Sequence, residues 1–182
     1  MAANNSEGRI YGVLAQFETT AAVYHACEKV RDKGFMFWDA HTPFPVHGLD
    51  KAMGLKPSKL PWIVLVMALT GGTGAFAMQW WMQAVDYPLV ISGKPFGSWP
   101  AFVPVTFELT VLLGAFGAVF GMFFLNRLPQ LYHSLFASER FARVTDDKFF
   151  ISIESSDPKF DPVATPKFLQ ELGASHVEIV ER

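Results

Sequence analysis

Cysteine is almost missing from this chain. Cys27 stands alone, which excludes an internal disulfide and any pair or cluster of thiolate ligands. A C-x-x-C-H haem site, a P-loop and a Rossmann fingerprint are also missing. The formal net charge is only -2, so no basic footprint argues for nucleic acid. The first fifty residues lack an apolar core followed by a small-residue cleavage site, so no signal peptide is expected. Charge itself is absent over two long stretches. Trp62–Val85 contains no Asp, Glu, Lys or Arg, and Ala101–Leu125 contains only Glu108.

Those two stretches turn the reading toward a bilayer. A helical span needs about 20 mostly apolar residues at about 1.5 Å rise each. Both runs meet that length, and 51% of the 182 residues are hydrophobic. Lys51, Lys56 and Lys59 precede the first run, and Arg127, Arg140 and Arg143 follow the second. Between them stand Lys94 and Asp86. The positive-inside rule then places both termini in the cytoplasm and the connection 86–100 outside. Trp80, Trp81, Tyr87 and Trp99 gather toward that outer side, where amphipathic rings favour the headgroup level.

With the hairpin set aside, two halves remain. Arg9–Phe17 reads as a strand, Thr19–Lys33 as a helix and Phe35–Ala40 as a second strand. After the hairpin, Lys148–Glu154 alternates like a strand, Thr165–Leu172 reads as a short helix, and His176–Val180 as a last strand. Neither β-α-β half closes a core by itself. Together they make a split ferredoxin-like βαβ + βαβ pattern with a two-helix transmembrane hairpin inserted between its halves. The fold class expected is therefore an α+β membrane protein. Its expected segments are a first half-domain over 1–50, a basic connector over 51–61 and a span over 62–85. An outer loop over 86–100, a second span over 101–125, a basic and aromatic connector over 126–145 and a second half-domain over 146–182 complete it. The stretch 41–59 shows no period and reads as a loop, and 126–144 reads as an amphipathic segment at the inner membrane surface.

Few residues suggest chemistry. His25 and Cys27 stand two apart and do not share a helix face, so they do not pair as ligands. His41 and His47 flank two prolines and would need metal-binding partners that the sequence does not show. Glu108 is the costly residue, since an acid in mid-membrane costs a few kcal/mol, about 3 on insertion scales. Counted inward from the span ends, Glu108 and Gln79 fall at similar depth, about 10 Å from the outer side. Two readings are open for Glu108. It could serve a proton relay or contact a quinone, or it could be structural, a protonated acid hydrogen-bonded to Gln79 or to a neighbouring subunit. The lack of a second ionisable group in the spans favours the structural reading. Pro104, Glu108, Leu112, Ala115, Val119 and Met122 form one stripe of the second span. Thr110, Gly114, Gly117 and Gly121 lie roughly opposite, and Gly117-xxx-Gly121 permits close backbone approach. The Glu108 face is expected to meet Ala68, Gly72, Ala75, Gln79 and Gln83 of the first span. The glycine face is then expected to meet another protein.

Three stretches carry a family resemblance: FPVHGLDKAMGLKPSKLPW, DYPLVISGKPFGSWPAFVPVTFELTVL and NRLPQLYHSLF. They are similar to the ActD family, the two-span subunit of bacterial alternative complex III, over nearly the whole chain. That complex is a respiratory quinol oxidoreductase passing electrons to a periplasmic acceptor or directly to a terminal oxidase. The resemblance implies an inner-membrane subunit whose partners are the other subunits, including the polytopic ones with which the quinol site is associated, and membrane lipid. It implies no cofactor in this chain, because haems and iron–sulfur clusters belong to other subunits. It offers no catalytic residue. The expected function is thus a non-catalytic subunit that assembles and stabilises a quinol-oxidising complex. The alternative is a free-standing membrane-anchored sensor or small-ligand-binding module.

Overall fold

The structure is a computed structural model that describes residues 10–182. Arg9, expected to begin the first strand, lies outside the described residues. In chain order the elements are β1 (Ile10–Phe17), α1 (Thr20–Lys33), β2 (Trp38–His41), α2 (Leu49–Met53), α3 (Leu60–Trp81) and α4 (Trp99–Leu125). Two 3-10 turns follow, Ser134–Ala137 and Arg140–Thr145, and then β3 (Phe149–Glu154), α5 (Ala164–Glu171) and β4 (His176–Glu181). The chain divides into two compact units, one ending at Lys56 and resuming at Leu131, the other covering Pro57–Gln130.

The first unit is α+β. Its four strands lie in the order β2-β3-β1-β4, and every neighbouring pair is antiparallel. Central β1 therefore has both neighbours from beyond the long helices. Alternation along the strands gives the sheet two faces. Val13, Ala15, Phe17, Ile151 and Ile153 point to the side of α1 and α5, where Val23, Cys27, Val30 and Leu169 complete a core. Each fully buried side chain of this kind contributes about 1.5–3 kcal/mol. Helix α1 begins where the Thr19 hydroxyl accepts from the Ala22 N–H. It stops at Gly34, whose φ of 82° suits a residue without Cβ.

The first connector differs from the sequence reading, and the second adds contacts to it. The stretch 41–59 contains α2, and Leu49, Ala52 and Met53 on it are buried in the main core. Five residues are too few to show a helical period. The stretch 126–144 forms no α-helix. Its Leu135 and Phe141 pack on the second face of the sheet with Leu14, Phe150 and Val180. Leu128, Leu131, Tyr132 and Phe136 of the same stretch stay exposed.

The second unit is a helical hairpin. Helix α3 runs on as π-helix over Met82–Asp86. Leu60–Asp86 and Trp99–Leu125, 27 residues each, are long and apolar enough to cross a membrane. Only 11% of the most apolar stretch of each helix is buried within the chain.

Candidate functional site

The hairpin is built on small residues. Gly114, Gly117 and Gly121 are buried on α4, as are Gly71 and Ala75 on α3. The register is antiparallel. A Cβ built at Gly121 would stand 2.9 Å from Leu60 Cδ1, one at Gly117 2.9 Å from Met67 Cβ, and one at Gly114 3.5 Å from Ala68 Cβ. The tightest approach is at Gly71, where a Cβ would fall 2.3 Å from the Leu109 carbonyl oxygen. Toward the end of the hairpin that carries the 87–98 connection, Gln79 Nε2 donates to Phe102 O at 3.2 Å and to Thr106 Oγ1 at 3.3 Å. Phe76 meets Phe102 edge to face at 5.7 Å. Small residues let the backbones approach, and the amide satisfies groups that hydrocarbon would leave bare.

This arrangement exchanges the two expected faces of α4. The stripe of α3 that includes Gly72, Ala75 and Gln79 does look toward α4, but it meets the glycine face and not Glu108. Glu108 lies two residues beyond Thr106, roughly 200° around the helix. It is exposed, and it has no hydrogen-bond or ion-pair partner among the described residues. Gln79 and Glu108 are therefore not brought together. Counting inward from each end assigns a depth but not an azimuth. The azimuth is decided by the close approach at Gly71 and Gly117, which only glycine permits.

A polar cluster in the first unit escaped the sequence reading. Tyr11, His133, His41 and Ser152 gather with Asp39, Glu154 and Trp38 around a cavity of about 240 Å³ on the second sheet face. Tyr11 Oη and His133 Nε2 are 3.3 Å apart, and His41 Nε2 and Ser152 Oγ 3.0 Å apart. His41 also stands edge-on to Phe141 at 5.1 Å. Burial lowers the His41 pKa, against the pull of Asp39 and with the help of His133. Burial, Glu154 and Asp39 push the Tyr11 phenol up to about 12. The cluster therefore holds a neutral imidazole and a neutral phenol at pH 7. Tyr11 reaches this face because the β1–β4 register shifts between Ile10 and Gly12, a bulge that alternation alone does not reveal.

Several polar contacts join residues before the hairpin to residues after it. Asp157, 4% exposed, accepts from the Met36 and Phe37 N–H groups at 2.5 and 2.7 Å, and from the Lys159 N–H at 2.8 Å. Burial raises its pKa, but these three backbone donors outweigh that and hold the carboxyl below its usual range. Glu18 bonds Lys148, Ser175 Oγ at 2.8 Å and Gln16 Nε2 at 2.9 Å. Its pKa falls to about 2, chiefly through the Lys148 contact. Lys159 Nζ donates to the Lys33 carbonyl at 2.7 Å.

The remaining candidates separate. His25 is exposed beside Glu28 at 3.0 Å, and Cys27 is buried in the core. Burial first, then Asp39 and Glu28, push the Cys27 thiol up to about 12. An alkylating reagent at pH 8 is therefore expected to leave the folded chain unlabelled and to modify Cys27 only after denaturation. Rapid labelling of the native chain would contradict that burial. His47 is exposed. Among the described residues no three His, Cys, Asp or Glu side chains group so as to hold a metal ion.

Comparison with known proteins gives one family. The family described as "Alternative complex III, ActD subunit" matches residues 11–179. No curated protein matches the chain.

Proposed function

The chain belongs to the ActD subunit family of alternative complex III, and from that premise we propose that it is a non-catalytic subunit. On this reading it assembles and stabilises a respiratory quinol-oxidising complex in the bacterial inner membrane. The observation that carries its placement is the sheet. Strands β1 and β2 precede the two long apolar helices, β3 and β4 follow them, and all four pair in one sheet. The chain must return to the side it left, which two crossings achieve and one cannot. The basic residues flanking both helices support the cytoplasm as that side. The strand order, with α1 between β1 and β2 and α5 between β3 and β4, supports a ferredoxin-like domain split by the hairpin.

Gentle detergent extraction followed by native mass analysis tests the reading. The expected result is this chain within a large haem-containing assembly, the haem carried by other subunits. Recovery only as a monomer or simple homodimer would favour a free-standing sensor, for which the Tyr11–His41–His133 cavity is a polar candidate binding site. Sidedness is tested separately. Reporter fusions at Arg182 should score cytoplasmic and fusions beside Gly93 external, and an external Arg182 would refute the two-crossing arrangement.

A further inference from the structure

The glycine face of α4 is occupied by α3, so it is not free to bind a neighbour. What α4 presents outward is the stripe Pro104, Glu108, Leu112, Ala115, Val119 and Met122, exposed at every position. Lipid alone is a poor cover for it. Hydrocarbon offers the carboxyl no hydrogen bond. The acid stands nine residues from Trp99 and seventeen from Leu125, about 13 and 25 Å along the axis. A short Glu side chain reaches neither interface, unlike the long stems of Lys and Arg. Gln79, the amide at matching depth on α3, is already engaged with Phe102 and Thr106.

We infer that the outward stripe of α4 centred on Glu108 docks a membrane helix of a neighbouring subunit, and that this helix offers Glu108 a neutral hydrogen-bonding side chain. The inference rests on the subunit reading above. It names the contact face and the chemistry of the partner. A neutral partner is favoured over a cationic one because an ion pair takes two charges out of water, a cost that attraction in the interior does not reliably repay. The stripe suits a helix in other respects. Ala115 leaves a shallow position one helical turn from Leu112 and Val119, and close approach in membranes follows small residues.

The test uses the whole complex in native membranes. A photoreactive diazirine side chain in place of Leu112, one turn from Glu108, leaves the acid intact. Irradiation should yield an adduct with a different subunit of the complex. Adducts with lipid only, or with a second copy of this chain, overturn the inference. Substitution then reads the chemistry. Glu108→Gln should keep the chain in the purified complex at the level of the unsubstituted chain. Glu108→Leu should lower retention by about 3- to 30-fold, the worth of one membrane hydrogen bond. Undiminished retention of Glu108→Leu overturns the contact, and loss of Glu108→Gln as severe as that of Glu108→Leu overturns the neutral partner. Absence of the unsubstituted chain from the complex would overturn the subunit reading itself, a failure distinct from a lipid-only adduct within an assembled complex.

Discussion

Gly71→Ala is expected to loosen the helical hairpin, while Gly74→Ala, three residues along the same helix, leaves it unchanged. The two substitutions add the same methyl group and gain the same helix propensity. Their surroundings differ. At Gly71 the new Cβ would lie 2.3 Å from Leu109 O, 3.0 Å from Leu109 C and 3.1 Å from Leu113 Cβ. Two of these atoms are backbone and have no rotamer by which to retreat, so α3 and α4 must move apart. Gly74 has nothing within 4 Å of the same position. Overpacking of this kind costs about 1–3 kcal/mol. Denaturant titration in mixed micelles, read by energy transfer between labels on the two helices, measures it. Equal midpoints for the two variants would show that α3 and α4 do not approach at Gly71.

Asp157→Ala is expected to destabilise the sheet-containing unit by about 2–4 kcal/mol, since three N–H groups lose a charged acceptor. Two of them, on Met36 and Phe37, lie before the hairpin, while Asp157 lies after it. The loss should therefore fall on the joining of the halves, and amide exchange should quicken first at Met36 and Phe37. The pH dependence has a definite sign. The folded carboxyl titrates below its unfolded value of about 4. Its stabilisation is complete above that value and is lost as pH falls through the folded pKa. In Asp157→Ala this part of the acid dependence should disappear. An unchanged unfolding profile between pH 5 and pH 2 would show that the three bonds contribute nothing.

What could be read in the residues follows from how local the cause is. Either Thr19 or Thr20 can cap α1 and Gly34 can stop it, local chemistry that the structure realises at Thr19 and Gly34. The two long helices follow from apolar length, again a property of contiguous residues. The strands follow from alternation, with ends displaced by a residue or a few; β2 begins at Trp38, after Met36 and Phe37 turn their N–H groups to Asp157. Where the cause is distant, the residues were mute. Periodicity showed two opposite stripes on α4 but not which one meets α3, because the choice rests on a backbone approach between Gly71 and Leu109. Leu135 and Phe141 of the basic and aromatic connector cover a sheet face whose Leu14 was made more than a hundred residues earlier, a contact that no local pattern announces. Tyr11, His41, His133 and Ser152 come from four separate segments, and no spacing rule links them.

The split sheet also sets a timetable for biosynthesis. Strand β1 leaves the ribosome first, yet its partners β3 and β4 come after both long helices have been made. Until then β1 has two open edges, which is the kind of surface that recruits wrong partners. With the crossings placed as proposed, β3 reaches β1 only if the second helix has brought the chain back across the bilayer. A chain that failed this step would leave its first half unpaired and open to proteolysis on one side, with its second half stranded on the other. Closure of the sheet would then act as an inspection of membrane insertion, so that a chain offered to its complex with a finished domain has already shown that it is threaded correctly.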